Sequence, residues 1–168
     1  MAESFVVTRR AVLRGLGAVG AGVAAGVLTA SPGRAVAQAP APALGVQEKV
    51  DEALRRLFGA RPLKDGAALV KLEVPLIAEN GAVVPVAVEV NAPMTPAAYV
   101  KHIYVVADRN RIPVVIRATL TPDAGHAVVG ANIRLGETGD VRAIAEQSDG
   151  TLLQVTREVK VTVGGCGG

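Results

Sequence analysis

The segment that decides the fold spans residues 76–90 and reads LIAENGAVVPVAVEV. Two apolar runs flank the pair Asn80-Gly81, which is a strong signal for a tight turn between strands. The second run, Val83 to Val90, contains Pro85 and, near its end, Glu89. Because proline cannot donate a backbone hydrogen bond, we expect Pro85 to lie at a sheet edge or a bulge. The segment therefore predicts two β-strands with a turn between them.

Strand patterns continue on both sides of this segment. Further runs rich in β-branched residues are predicted to be strands over residues 69–74, 99–107, 112–121, 127–135, 141–147 and 152–163. Short groups of turn-forming residues separate these runs. About seven short strands with regular turns are typical of an all-β protein, and here they predict an antiparallel β-sandwich of immunoglobulin-like type.

One amphipathic helix is predicted ahead of the strands, over Val46 to Phe58. Apolar residues recur there at helical spacing, and charged residues occupy the other positions. Gly59 follows where a C-terminal cap belongs. The pattern leaves open whether the apolar face packs on its own domain or against a partner.

The N-terminal part, residues 1–37, is predicted to be a cleaved twin-arginine signal. Arg9 and Arg10 precede a Gly/Ala-rich apolar run, and residues 35–37 read AVA, a small-x-small cleavage site. A transmembrane anchor is the alternative, but the run is shorter and richer in glycine than a spanning helix requires. The signal predicts a periplasmic protein with no membrane span after cleavage. A Pro/Ala linker, residues 38–45, leads from it to the predicted domain of helix and sandwich, residues 46–163.

Charge and composition exclude several classes of function. Residues 1–37 hold four of the 18 basic residues and one of the 15 acidic residues, so the remainder has 14 of each. With no basic excess and only 2% aromatic residues, a nucleic-acid interface is not expected. A single cysteine excludes an internal disulfide, and the two histidines, His102 and His126, are interpreted as structural or surface residues rather than metal ligands. No catalytic constellation and no cofactor-binding motif is evident.

The chain closes with its most informative feature, the run Gly164-Gly165-Cys166-Gly167-Gly168. Glycine has little conformational preference, so we expect a thin, mobile arm that carries one thiol. Such an arm suits a non-catalytic carrier whose cysteine is modified inside other proteins. Two alternatives remain: an assembly module whose tail thiol forms an intermolecular disulfide, and a thiol enzyme, which would need an ordered base or cation beside the thiol.

The sequence resembles the SoxY family, the sulfur carrier subunits of bacterial thiosulfate oxidation. The resemblance rests on the tail 164–168, on the segment 75–86, on Ile133-Arg134-Leu135 and on the turn Ser148-Asp149-Gly150, together with the signal. It covers essentially the whole chain.

The resemblance implies a fold, a partner and a role for Cys166. SoxY proteins have an immunoglobulin-like fold and pair with SoxZ, a second small β-protein. Carried over by position, Cys166 is the covalent attachment site for sulfur, and Gly164, Gly165, Gly167 and Gly168 form the swinging arm. The implied visiting enzymes are the cytochrome SoxAX, the hydrolase SoxB and, where present, the sulfane dehydrogenase SoxCD.

Overall fold

A computed structural model describes residues 43–164, which form one helix and nine strands. The helix is α1 (Val50–Phe58). The strands are β1 (Leu63–Asp65), β2 (Val70–Glu73), β3 (Ile77–Ala78), β4 (Val84–Val90), β5 (Val100–Ala107), β6 (Val114–Thr119), β7 (Ala127–Ile133), β8 (Gly139–Gln147) and β9 (Leu152–Val161). A short 3₁₀ turn, Pro122–Ala124, links β6 to β7. Within the described part, no helix is long and apolar enough to cross a membrane.

The strands form two sheets, which confirms the predicted β-sandwich. The larger sheet has the order β1-β9-β8-β5-β6, with β3 also paired to β9, and the smaller sheet has the order β2-β4-β7. The sheets are antiparallel except where β1 and β3 run parallel to β9. β9 therefore has partners along both edges, with β8 on one side and β1 and β3 on the other.

The core between the sheets follows from the alternation of side chains along each strand. In β4, Val84, Val86, Val88 and Val90 are buried, while Glu89 points outward. They pack in one cluster with buried residues of the larger sheet, such as Ile103 of β5. A strand with one buried face gives this period of two, which is why the pattern was readable from the sequence.

The helix packs on its own domain, which answers the question that the sequence left open. Ala53, Leu57 and Phe58 join a second buried cluster on the outer face of the larger sheet, where Phe58 meets Tyr104 edge-on with ring centres 5.1 Å apart. Gly59 caps the helix, with a φ of 62° that favours glycine. Strand β5 is covered on both faces, and its row of buried residues is therefore nearly continuous.

The start of the helix was predicted four residues too early. Residues 46–49 are not helical, and the helix begins at Val50. The Glu48 backbone N–H donates to the carbonyl oxygen of Arg111, and the Glu48 carboxylate pairs with Arg56. These contacts hold the segment in an extended path, in spite of its helical spacing.

The predicted turn at Asn80-Gly81, with a strand on either side, is confirmed. Asn80 Oδ1 accepts a hydrogen bond from the Ala82 N–H at 2.8 Å, as in an Asx turn. The flanking strands β3 and β4 belong to different sheets, so the turn is not a hairpin. Pro85 lies in β4, the central strand, yet β2 pairs only with Ala87–Val90. At Pro85, β4 therefore has β7 on one side and no strand on the other, which accommodates the missing donor.

Candidate functional site

The predicted attachment site lies just beyond the described structure. Cys166, Gly165, Gly167 and Gly168 fall outside the described residues, as do Arg9 and Arg10 of the predicted signal. Gly164 is the last described residue. The structure therefore shows the root of the tail, which we define as residues 161–164, and the surface from which the tail departs.

One side of the tail root is held by the end of β3 and the segment that follows it. The Thr162 N–H donates to the Ala78 carbonyl oxygen at 3.0 Å, and the Gly81 N–H donates to the Val163 carbonyl oxygen at 2.7 Å. The Thr162 hydroxyl donates to the Glu79 carbonyl oxygen at 2.8 Å. These bonds continue the parallel pairing of β3 with β9 past the end of both strands.

The other side of the tail root is held by the loop 136–138. Thr138 Oγ1 accepts a hydrogen bond from the Val161 N–H at 2.9 Å. A Cβ atom at Gly164 would lie 2.3 Å from the Gly136 carbonyl oxygen, well inside any tolerable contact. Gly164 was predicted as part of the arm, and the structure adds a specific reason for glycine there: the backbone passes too close to Gly136 for a side chain.

The side chain of the buried residue Asn110 holds the loop 136–138 by hydrogen bonds. Asn110 is 7% exposed; its Nδ2 donates to the Arg134 carbonyl oxygen at 2.7 Å, and its Oδ1 accepts from the Gly136 N–H at 3.1 Å. The Leu135 N–H donates to the Gly81 carbonyl oxygen at 2.8 Å, which joins the two flanks of the tail root. Sequence reasoning missed Asn110, because residues 108–111 form one of the short polar groups between predicted strands and carry no further signal.

The two histidines of the described part differ in their surroundings. His102 is 7% exposed, and its Nδ1 lies 3.1 Å from Thr119 Oγ1. Burial lowers the pKa of His102, and the positive charge of Arg117 lowers it further. His126 is exposed. No group of three potential metal ligands occurs among residues 43–164.

The buried carboxylate Glu146 is paired, and it lies at the far end of β8 from the tail root. Its Oε1 accepts from Arg61 Nη1 at 2.7 Å, and its Oε2 accepts from the Tyr104 hydroxyl at 3.3 Å. Burial raises the pKa of Tyr104, and the negative charge of Glu146 adds to the rise. Gly139, at the start of β8, pairs with Val159, near the tail root, whereas Glu146 pairs with Leu152. This network fastens the segment after the helix to the sheet and does not face the tail.

Comparisons with known proteins identify the family. The model of the family described as "Sulfur oxidation protein SoxY" matches residues 54–166, well over half of the chain. The structure is similar to that of the sulfur carrier protein SoxY from Chlorobium limicola f. thiosulfatophilum, with 30% identity and a TM-score of 0.57. The match covers 68% of this chain and 97% of that one.

A more distant similarity concerns the fold alone. A variant of the superoxide reductase neelaredoxin from Ignicoccus hospitalis matches with 19% identity and a TM-score of 0.50, over 68% of this chain and 93% of that one. No curated protein gives a significant sequence match. The family match and the SoxY structure agree with the resemblance seen in the sequence, and the chain belongs to the SoxY family of sulfur oxidation proteins.

Proposed function

We propose that this protein is a covalent sulfur carrier in thiosulfate oxidation, with Cys166 as the attachment site. The observation that carries the proposal is the extent of the family match, which runs through residue 166 and so includes the cysteine. The similar solved structure is itself described as a sulfur carrier protein. The tail root adds support, because it fixes the point from which the thiol is presented.

The carrier chemistry uses the reversibility of sulfur–sulfur bonds. In the loading step, the Cys166 thiol and thiosulfate form an S–S bond; one proton leaves the thiol, and two electrons pass to a c-type cytochrome. In the next step, water cleaves the terminal S–SO₃ bond, which releases sulfate and leaves a cysteine persulfide. A sulfane dehydrogenase would then oxidise the outer persulfide sulfur to a sulfonate; three waters supply the oxygen atoms, and six electrons and six protons leave. A second hydrolysis would release sulfate and return the thiol.

The described surroundings of the tail suit a carrier better than an enzyme. The groups that hold residues 161–164 are backbone amides and the hydroxyls of Thr138 and Thr162. None of these contacts in the described part is made by a carboxylate, imidazole, amine or guanidinium side chain. Activation of the thiol is therefore assigned to the enzymes that the tail visits.

The proposal includes a partner and a location. We propose a heterodimer with SoxZ, exported to the periplasm by the twin-arginine signal of residues 1–37, and transient contacts with SoxAX, SoxB and, where present, SoxCD. The signal belongs to a pathway for folded proteins, which fits joint export of a pair when one subunit lacks its own signal.

Intact-mass spectrometry of the exported protein from thiosulfate-grown cells tests the proposal. We expect reductant-sensitive additions of about 112 Da for the thiosulfonate and about 32 Da for the persulfide, sums that follow from the thiol chemistry. Cys166→Ser is the control and should carry neither addition. If the native protein showed only a free thiol or a disulfide-linked dimer, the carrier assignment would fail and the cross-linked assembly module would replace it.

A further inference from the structure

The surface around the tail root carries an unusual concentration of exposed apolar side chains. Leu76, Ile77, Val83 and Val163 are 70%, 59%, 61% and 63% exposed. They make up four of the seven large apolar residues that are exposed in the described part of the chain. We define these four residues as the apolar collar.

The members of the collar lie on two segments whose backbones bond to each other. Ile77 pairs with Lys160 in the parallel β3–β9 register, and the Gly81 N–H donates to the Val163 carbonyl oxygen. Val83 follows two residues after Gly81. A groove of about 620 Å³ adjoins Leu76, lined by residues 72–76, 85–87 and Arg157.

The short stretch of chain between Gly164 and Cys166 keeps the Cys166 sulfur near this surface. Cys166 lies two positions after Gly164, so the two Cα atoms lie at most about 7 Å apart. The tail root is itself held on both flanks. An enzyme whose active site binds the Cys166 sulfur must therefore come close to Val163, only three positions earlier in the chain. Its surface then contacts the collar.

Because the tail is short and the collar side chains are exposed, we infer that the apolar collar is a docking surface. It contacts the entrance of the active-site cleft of an enzyme that acts on the Cys166 sulfur. The inference rests on the proposed function and extends it to a recognition site on the body of the protein. The matching entrance has an apolar rim. Polar residues border the collar, among them the exposed Glu79 and Lys160, as is usual around the apolar centre of a transient interface.

The test compares two valine-to-aspartate substitutions. Val83→Asp places a charge in the collar, whereas Val128→Asp is the matched control, since Val128 is 51% exposed and lies at the end of β7 remote from the tail root. Both variants are prepared as the full exported protein with its SoxZ partner. Loading of Cys166 with thiosulfate by the cytochrome complex is followed by intact mass at sub-saturating carrier.

We expect Val83→Asp to slow loading about tenfold or more, the loss typical of burying a charge in place of an apolar contact. Val128→Asp should load at the native rate. A small aromatic disulfide reagent needs no docking surface and should modify Cys166 at the same rate in all three proteins. Ile77→Asp, at a second collar position, should repeat the effect.

Four results would overturn the inference. Equal loading of the native protein and both collar variants would show that the collar is not used. Loss of SoxZ binding in Val83→Asp would place the collar in the subunit interface. A native homodimer that Val83→Asp dissociates would assign the collar to a second copy of the chain. If the native protein is never loaded, the proposed function fails, and the docking surface fails with it.

Discussion

Replacement of Asn110 by alanine tests whether the support beneath the tail root is as important as its contacts suggest. The substitution removes two hydrogen bonds: the one that the Asn110 side chain donates to the Arg134 carbonyl oxygen and the one that it accepts from the Gly136 N–H. A buried side-chain hydrogen bond contributes about 1 kcal/mol, and truncation of a buried side chain adds to the loss. We therefore expect the free energy of unfolding to fall by about 2–3 kcal/mol.

The measurement is urea-induced unfolding followed by far-UV circular dichroism, with the slope checked for constancy. A loss of this size should lower Tm by roughly 6–12 °C in a domain of this length. Asn132→Ala is the matched control, because Asn132 is exposed on β7 and its replacement should change stability by less than about 0.5 kcal/mol.

Hydrogen exchange adds a local readout. The Gly136 amide should exchange faster in Asn110→Ala, because its acceptor is gone, whereas the Thr162 amide keeps its bond to Ala78 and should lose less protection. If Asn110→Ala were as stable as Asn132→Ala and the Gly136 amide stayed protected, the view that Asn110 supports the tail root would be wrong.

Two further predictions concern acid sensitivity and the glycine at the tail root. Burial lowers the pKa of His102, so below about pH 6.5 the unfolded chain binds more protons than the folded protein, and the free energy of unfolding should decline there. Urea midpoints at several pH values should show a smaller decline in His102→Gln. His126→Gln, at an exposed position, is the control and should keep the native decline. In Gly164→Ala, the added Cβ would lie 2.3 Å from the Gly136 carbonyl oxygen, so the substitution should displace the tail root and speed exchange of the Gly81 amide. Gly130→Ala, where a Cβ meets nothing within 4 Å, should leave that exchange rate unchanged.

The strands were predictable where one face of a sheet is buried. β4 alternates buried valines with outward residues, and that period is visible without a structure. β1 was missed because Leu63–Asp65 is only three residues long and mostly exposed; its pairing with Leu152–Gln154 comes from a segment far away in the chain. The helix was predicted to start too early for a similar reason: the contact of Glu48 with Arg111 is tertiary and is not visible in the local sequence.

In the candidate site, too, local features were predictable from the sequence and tertiary contacts were not. Cys166 could be singled out from local composition alone, because a lone thiol between glycines is a local signal. The residues that hold the tail root could not be, since Gly81, Asn110 and Thr138 come from three separate loops. Only the fold brings these loops to Val163, and no spacing in the sequence reports it.

The pairing of β9 along both edges has a mechanical consequence. A pull on the chain beyond Gly164 acts along the axis of β9, and the bonds to β8, β1 and β3 cross that axis. Such a force loads many hydrogen bonds together in shear, whereas an edge strand would be held by bonds along one side only. Withdrawal of the tail from a tight cleft would therefore move the domain as a body and leave its last strand in place.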